Sequence, residues 1–258
     1  MRTDAVRALV TGASGGLGAA LVAELKANGA AVIAAGRDAA KLSALGADAT
    51  VAADLTTAEG VEAVAKAARA FGCNALVNNA GIGAFGLFDD TDWSAIAQLL
   101  ETNLAAPMRL THAMLPHLKS LPEAAIVNVG STFGSVPFAG FAAYSAAKAG
   151  LRGFSQALRR ELADTRVAVI HLAPRAIDTP LNGEDVRALN RALGNAADSP
   201  EAVARTAVRA LARGSAERHV GFPERLFAWI NGAAPALVDR GVAGKLSLIK
   251  RHAPARVS

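Results

Sequence analysis

The stretch IVNVGSTFGSVPFAGFAAYSAAK, residues 126–148, decides how this chain is built. It begins as an apolar run of strand length, passes Ser131, and ends with Tyr144 and Lys148. On a helix, residues four apart lie on one face, so Lys148 is predicted beside the phenol of Tyr144. A nearby ammonium lowers the pKa of a tyrosine from about 10 and makes it a usable general acid or base. A packed tyrosine followed by an exposed lysine is the alternative, and the rest of the chain must decide.

The composition is that of a single α/β domain with a large buried core. The chain has 258 residues, of which 52% are hydrophobic. The single cysteine, Cys73, excludes an intramolecular disulfide and a cysteine metal cluster, and it fits a reducing, cytoplasmic location. No metal site is predicted. Residues 1–12 contain no long apolar core and predict a first strand rather than a signal peptide.

Charge distribution excludes two classes of partner. Residues 239–258 hold five basic side chains and one acid, a net +4 out of the chain's +5, so no basic nucleic-acid face covers the domain. Residues 124–147 carry no charge and are long enough to span a bilayer. Their polar side chains and glycines would leave groups unsatisfied in lipid, so we expect a buried strand and a site loop instead of a transmembrane segment.

Apolar runs of strand length alternate with alanine-rich helical segments along the chain. Strands are predicted at residues 8–10, 31–35, 50–53, 75–77, 126–129, 167–172 and 219–221. Helices are predicted at residues 17–28, 58–71, 92–119, 144–163 and 200–213. This alternation, with unbroken apolar strands, predicts an α/β fold with a parallel sheet covered by helices on both faces.

A glycine-rich turn, TGASGGLG at residues 11–18, joins the first strand to the first helix. Glycines at this place let backbone N–H groups approach a pyrophosphate, and the helix N-terminus adds partial positive charge. The position predicts a dinucleotide site. The residues expected to line it are Gly12, Ser14, Gly15, Gly16, Leu17 and Gly18.

The ends of the second and third strands predict which dinucleotide binds. An acid after the second strand usually bonds the adenosine ribose of NAD, and this chain has Gly36 and then Arg37 there. Arg37 can pair with a 2′-phosphate, so the cofactor is predicted to be NADP(H). Asp38 is expected to cap the next helix. Asp54, with Leu55, either contacts the adenine or caps the following helix.

The segment NNAG, residues 78–81, makes the sequence resemble the short-chain dehydrogenase/reductase family over roughly residues 6–222. The motifs stand in family order: TGxxxGxG at 11–18, NNAG, Asn103, Ser131, and YxxxK at Tyr144 and Lys148. The resemblance implies a single-domain Rossmann fold over residues 1–258, with a doubly wound, mostly parallel, seven-stranded sheet. It also implies a cytoplasmic oxidoreductase that forms homodimers or homotetramers.

The resemblance also implies roles for individual residues. Tyr144 would exchange a proton with a substrate carbonyl or alcohol, and Lys148 would lower the Tyr144 pKa and bind the nicotinamide ribose. Ser131 would orient the carbonyl oxygen, with Thr132 as the alternative hydroxyl. Asn103 would hold, through its backbone, a water that links Lys148 to solvent, unless its side chain merely satisfies a neighbouring carbonyl. Further cofactor contacts would come from Asn79, Ala80 and Gly81.

The sequence departs from the family pattern after the sixth strand. The expected PG followed by a threonine is here Pro174, Arg175, Ala176, Ile177, Asp178, Thr179. Cofactor binding through Pro174, Ile177 and Thr179 still fits. Arg175 replaces the glycine and is predicted to contact a phosphate or an acidic substrate, or else to point to solvent.

Two further segments bear on the substrate. Residues 176–200 form a long polar insertion that predicts a mobile lid, and apolar side chains at 133, 136, 138 and 141 indicate either a substrate wall or core. Residues 223–258 resemble an amphipathic helix pair with a cationic end. That segment either packs on its own subunit or a partner over the cleft, or makes peripheral contact with an anionic membrane. We therefore expect a fairly hydrophobic small-molecule substrate.

Overall fold

The computed structural model describes residues 1–254, with the side chains of residues 222–225 left out of the description. Seven strands form one sheet in the order β3-β2-β1-β4-β5-β6-β7, and every neighbouring pair is parallel. The strands are β1 Arg7–Thr11, β2 Ala31–Gly36, β3 Ala49–Ala52, β4 Ala75–Asn78, β5 Ala124–Val129, β6 Val167–Ala173 and β7 Glu217–His219. The predicted Rossmann-like sheet is confirmed, with the last strand two residues earlier than expected.

Helices cover both faces of the sheet. They are α1 Gly16–Ala27, α2 Ala39–Ser43, α3 Ala58–Phe71, α4 Trp93–Leu100, α5 Ala106–Ser120, α6 Ala142–Glu161, α7 Glu184–Leu193, α8 Pro200–Arg213, α9 Phe222–Ala233, α10 Pro235–Ala243 and α11 Leu246–His252. One core lies between the sheet and α1 and α8, and a second lies between the sheet and α3, α5 and α6. The central strands β4, β5 and β6 are buried on both sides, as parallel strands are, whereas the edge strands β3 and β7 are partly exposed.

The predicted helix over residues 92–119 is interrupted. Between α4 and α5 the chain makes a π-helical turn, Glu101–Ala105, in which Asn103 is fully buried. A π-turn inserts one residue into the helix and frees a backbone carbonyl, and such turns concentrate at functional sites. The prediction of one continuous helix was therefore wrong, and the interruption includes Asn103, the residue of this segment that carries a predicted role.

The lid and the C-terminal segment are more helical than the sequence predicted. Helix α7 lies inside the insertion at residues 176–200, and α9 to α11 follow β7. Ile249 of α11 is fully buried against Leu189 of α7 and Phe85. The C-terminal segment thus packs on its own chain, although Arg256, part of its predicted cationic end, lies outside the described residues. No helix in the described ranges is both long enough and apolar enough to cross a membrane.

Candidate active site

The carboxyl ends of the strands open into a cleft of about 1650 Å³. Four segments far apart in the sequence meet there, at residues 12–18, 79–81, 129–132 and 174–179. Every predicted site residue except Asn103 lines this cleft, including Arg37, Asp54 and Leu55. In a parallel sheet of this topology, ligands bind at this edge.

The glycine-rich turn after β1 fits a dinucleotide pyrophosphate because side chains are excluded from it. Gly12 has φ +62°, and a Cβ there would lie 2.7 Å from the Cα of Ala80. A Cβ at Gly18 would lie 2.1 Å from the Gly12 carbonyl oxygen, and one at Gly16 would lie 2.9 Å from the Thr179 side chain. Gly15 precedes α1 without a side-chain cap, so the first N–H groups of the helix are left for an anion in the cleft.

A hydrogen-bonded clamp around Thr11 holds the turn against the NNAG segment. The Thr11 hydroxyl accepts from the backbone N–H groups of Asn79 and Ala80, each at 3.0 Å, and donates to the Val77 carbonyl at 3.3 Å. The Asn79 amide donates back to the carbonyls of Thr11 and Gly12. Sequence reasoning missed Thr11, although it opens the glycine-rich motif and its hydroxyl is the signal.

The adenosine end of the cleft is partly as predicted. Arg37 is exposed at the end of β2, and Asp38 caps α2 by accepting from the backbone N–H of Lys41 at 3.0 Å. Asp54 accepts from the Thr56 backbone and hydroxyl, and these bonds, with the Arg37 charge as a smaller cause, hold the pKa of Asp54 below its ordinary value. Its side chain does not cap α3, because Thr57 fills that place.

Of the two neighbouring hydroxyls, that of Ser131 is the one whose interaction lowers the pKa of Tyr144 against the effect of burial. Its neighbour Thr132 is engaged elsewhere, because the Thr132 hydroxyl donates to the Pro174 carbonyl at 3.1 Å. Ser131 also accepts from the Phe133 backbone N–H at 3.2 Å, which fixes its oxygen at the start of a short turn. The geometry therefore separates two hydroxyls that the sequence left as alternatives.

The predicted effect of Lys148 on Tyr144 is not what this structure shows. Burial raises the pKa of Tyr144, and the hydrogen bond from Ser131 opposes that rise. The Lys148 ammonium lies 5.7 Å from the ring centroid of Tyr144 and donates to the Val129 carbonyl at 3.0 Å. Burial also lowers the pKa of Lys148 to about 8, so the ammonium is still mostly protonated at neutral pH but loses its proton more easily than a free lysine. Desolvation outweighs the attraction that the spacing suggested.

Asn103 holds the backbone beside this pair rather than entering the cleft. Its side-chain oxygen accepts from the Ile82 N–H and its amide donates to the Ile82 carbonyl, both at 2.8 Å. A Cβ at Gly81 would lie 3.0 Å from the Asn103 oxygen and 3.7 Å from the Lys148 nitrogen, so Gly81 separates the two. The side chain thus satisfies neighbouring backbone groups, while the water relay through the Asn103 backbone stays a prediction.

Arg175 is neither turned to solvent nor left for a phosphate. Its guanidinium forms a bidentate ion pair with Asp198, at 3.0 and 2.7 Å. The two ends of the lid also join through the backbone, because Asp178 donates to the Asp198 carbonyl and Asp198 donates to the Ala176 carbonyl. The arginine that replaces the family glycine therefore closes the base of the lid. Its backbone still lies at the cleft.

The substrate end of the cleft is apolar and aromatic. Phe133 stacks on Phe138 with 5.5 Å between ring centroids, and it meets Phe141 at 4.9 Å and the edge of Tyr144 at 6.4 Å. All four rings line the cleft, and Phe138 and Phe141 also pack on the cluster around Ile249, so these two are both wall and core. Apolar side chains of the C-terminal segment also line the cleft, in agreement with the prediction that this segment packs over it: Phe227, Ile230, Leu237 and Val238.

Comparison with known proteins agrees with this geometry. The family model for short chain dehydrogenases matches residues 6–190. The 3-oxoacyl-[acyl-carrier-protein] reductase of Vibrio cholerae is 39% identical over 191 residues, which cover 70% of this chain and 77% of that protein.

Solved structures extend the likeness beyond the matched sequence. A short chain dehydrogenase from Burkholderia cenocepacia in complex with NADP has a TM-score of 0.82 at 30% identity, covering 94% of this chain and 99% of that one. Part of the segment 223–258 thus has a counterpart there. The 3-ketoacyl-(acyl-carrier-protein) reductase from Brucella melitensis, complexed with NADH, has a TM-score of 0.77 at 27% identity and covers 84% of this chain and 97% of that one. This chain belongs to the short chain dehydrogenase family.

Proposed function

We propose that this protein is an NADP(H)-dependent oxidoreductase that transfers a hydride between the nicotinamide and a carbonyl or alcohol of a hydrophobic small molecule. The observation that carries the proposal is the meeting of Ser131, Tyr144 and Lys148 with the glycine-rich turn in one cleft. A proton donor and a dinucleotide cradle are the two parts that such chemistry asks of a protein.

The cofactor would lie along the residues already described. The turn at residues 12–18 would hold the pyrophosphate, and Asp54, Leu55 and residues 79–81 would line the adenosine and ribose. When bound, the nicotinamide supplies or accepts the hydride. The solved relatives were complexed with NADP in one case and NADH in another. The preference for NADP(H) therefore rests on Arg37 and on the absence of an acid at Gly36.

Tyr144 acts as the proton donor in the reductive direction. Because burial raises its pKa, the phenol stays protonated at neutral pH and can give its proton to the substrate oxygen. Ser131 holds that oxygen beside the phenol and stabilises the charge that develops on it. Lys148, whose pKa is about 8, can pass a proton toward Tyr144 near neutral pH. A water on the backbone of the π-turn at Asn103 would connect Lys148 to solvent.

The aromatic wall favours a substrate with an apolar body. Phe133, Phe138 and Phe141 face the cleft from one side, and apolar side chains of α9 and α10 face it from the other. The named activity of the relatives, reduction of 3-oxoacyl groups, places a ketone next to an acyl chain, and this cleft can hold both. A 3-oxoacyl thioester is therefore one arm of the substrate panel, beside simple aryl and alkyl ketones.

Oxidation of NADPH with this ketone panel tests the proposal. We expect turnover by the wild-type protein and its loss in Tyr144→Phe, with NADPH binding retained, because the substitution removes only the phenolic oxygen. Full activity in Tyr144→Phe would refute the assignment of the proton donor. Two rival functions predict other results. An epimerase or dehydratase would convert substrate without net NADPH consumption, and a regulatory or scaffold protein would bind NADPH and turn over nothing.

Peripheral contact with an anionic membrane is the proposal for the C-terminal segment. Five of the nine large hydrophobic side chains that stand clearly exposed among the described residues lie between residues 226 and 246, with Trp229 71% exposed. Basic side chains at 240, 245, 250 and 251 lie nearby. Since α9 and α10 also wall the cleft, this surface would admit an apolar substrate from the bilayer.

Vesicle flotation tests this proposal without deleting α11, whose Ile249 is buried against the rest of the chain. We expect binding to vesicles rich in phosphatidylserine and weaker binding of the Leu226→Ser/Trp229→Ser variant. Equal flotation of the wild type and the variant would contradict the proposed membrane contact. A variant that stops self-association without changing flotation would show that the patch is a subunit contact. Homodimer or homotetramer formation, cytoplasmic location and a division into core 1–222 and segment 223–258 stay predictions.

A further inference from the structure

A row of polar side chains crosses the sheet directly beneath the candidate active site. Asn78 of β4, Asn128 of β5, His171 of β6 and Glu217 of β7 occupy matching positions in the pairing register of the four strands. Residues at matching register point to the same face of a sheet. The first three are buried, and the row lies one layer below the strand ends that carry Ser131.

Three members of the row, Asn78, Asn128 and His171, are linked through Ser155 by hydrogen bonds that favour one tautomer of His171. Asn78 donates to Asn128 at 2.8 Å, and Asn128 donates to the Ser155 hydroxyl at 2.9 Å. The single hydroxyl hydrogen of Ser155 goes to the Leu151 carbonyl at 2.7 Å. The His171 Nδ1 lies 3.4 Å from the Ser155 oxygen, and this arrangement favours the tautomer in which Nδ1 carries the hydrogen. Its Nε2 is left as a buried acceptor to which no residue in the described ranges donates.

The far edge of the His171 ring occupies the space that a side chain at residue 130 would take. A Cβ built on Gly130 would lie 2.3 Å from Cε1 and 2.4 Å from Nε2 of His171. Gly130 is not among the residues with positive φ, so backbone conformation does not demand glycine there. The imidazole therefore excludes a side chain at residue 130, and the Leu172 carbonyl oxygen, 3.2 Å from the same Cβ position, narrows the space further. A side chain at residue 130 and the imidazole of residue 171 cannot occupy this space together.

The end of β6 also anchors both neighbours of Ser131. The Gly130 N–H donates to the Leu172 carbonyl at 2.7 Å, and the Thr132 N–H donates to the Pro174 carbonyl at 2.9 Å. Ser131 thus lies between two residues, Gly130 and Thr132, whose N–H groups are hydrogen-bonded to the end of β6 and the residue after it. The His171 ring packs against Gly130. The carbonyl of Val129, the residue before Gly130, accepts a hydrogen bond from the Lys148 ammonium. A shift of the strand end would move both groups relative to Tyr144.

We propose that His171 is a positioning residue for the reaction, acting through Gly130 to hold Ser131 against Tyr144. The inference rests on the proposed function, because it assigns the support of that same proton-transfer group. Burial lowers the pKa of His171 to about 4, so the ring is neutral at working pH and does not add charge to the site. A buried acceptor without a partner is disfavoured in a core built only for stability, and such groups ask for a functional explanation.

A double-mutant cycle on Gly130 and His171 tests the proposal. The proteins are wild type, His171→Ala, Gly130→Ala and the double variant, with Gly153→Ala as matched control. Gly153 lies exposed in α6, and a Cβ there meets nothing within 4 Å. For each protein we would measure thermal stability, the stoichiometry of NADPH binding, kcat per NADPH-binding site, and KM for NADPH.

We expect His171→Ala and Gly130→Ala each to lower kcat roughly tenfold or more, since small displacements of reacting groups are costly. KM for NADPH should change less than kcat and stay within about twofold, because the pyrophosphate turn at residues 12–18 makes no contact with His171 or Gly130. The double variant should recover kcat to within about threefold of wild type, since removal of the ring relieves the two shortest contacts of the added methyl and leaves only the Leu172 carbonyl oxygen, at 3.2 Å.

Two results would overturn the inference. One is a kcat per binding site in His171→Ala that stays within about twofold of wild type. The ring would then only occupy space in the core and would not position Ser131. The other is a double variant no faster than the slower single variant. Failure of the proposed function looks different, because wild type itself would then show no turnover that Tyr144→Phe abolishes. The thermal stabilities of the four proteins can still be compared in that case. If both single variants lose stability and the double variant recovers none of it, the mutual exclusion of the His171 ring and a side chain at residue 130 is contradicted.

Discussion

Replacing Lys148 with Met should stabilise the folded protein at neutral pH and remove part of its pH dependence. The ammonium of Lys148 is buried, donates to one carbonyl, and has its pKa lowered by burial from 10.5 to about 8. That difference corresponds to about 3 kcal/mol of unfavourable protonation in the folded state near neutral pH. Losing the bond to Val129 offsets about 1 kcal/mol. Lys148→Met should therefore gain about 2 kcal/mol in the free energy of unfolding.

The pH dependence gives the sharper test. Below about pH 8 the folded and the unfolded chain both hold the Lys148 proton, and the folded state bears the full cost. Between about pH 8 and 10.5 only the unfolded chain keeps it, so this group makes the free energy of unfolding rise with pH. By about pH 10 the wild type should have regained about 2 to 3 kcal/mol relative to Lys148→Met.

Urea denaturation of the cofactor-free proteins near neutral and near alkaline pH measures this difference. Other titrating groups, such as Cys73, whose pKa burial raises to about 12, act equally in both proteins and cancel. Lys66→Met on the exposed side of α3 is the control, because its ammonium is solvated in both states. An equal change with pH in wild type and Lys148→Met would refute the claim that the cleft holds a desolvated lysine.

Three further substitutions test separate parts of the account. Arg37→Ala should raise KM for NADPH roughly 10- to 100-fold and leave KM for NADH unchanged, since only NADPH offers the 2′-phosphate; an unchanged ratio in steady-state kinetics would remove the basis for the cofactor preference. Gly18→Ala should cost about 1–3 kcal/mol in urea unfolding, because its Cβ would lie 2.1 Å from a backbone oxygen, whereas Gly153→Ala should not destabilise. Arg175→Ala should leave the largely buried Asp198 carboxylate without its ion-pair partner. We therefore expect limited proteolysis within residues 176–198 to become roughly tenfold faster. An unaltered cleavage rate would show that the ion pair does not hold the lid.

The sequence predicts the sheet and the order of its motifs because these depend on local pattern. Unbroken apolar runs separated by helical segments permit little besides a parallel sheet, and the glycine-rich turn and YxxxK then fall at its carboxyl edge. All seven strands and most site residues follow from that. The π-turn at Asn103 does not, because an inserted residue in a helix has no compositional signature.

Features that depend on register or on distant partners escape the sequence. The row of Asn78, Asn128 and His171 exists only because three strands pair at those residues. The role of Arg175 depends on Asp198, which lies 23 residues further on. The pKa of Tyr144 was expected to fall and instead rises, because the extent of burial is a property of the packed structure. Helix α7 was missed because residues 176–200 were interpreted as a polar lid, although Val186, Leu189 and Leu193 within it have helical spacing.

The central claim is that Tyr144 supplies the proton while NADPH supplies hydride to a substrate carbonyl. Turnover of the best ketone with NADPH deuterated at the transferring C4 position tests it most directly. We expect deuterium on the carbinol carbon of the alcohol formed by the wild type, and no product above background from Tyr144→Phe at equal NADPH occupancy. Product without deuterium, or product from Tyr144→Phe at the wild-type rate, would contradict the account.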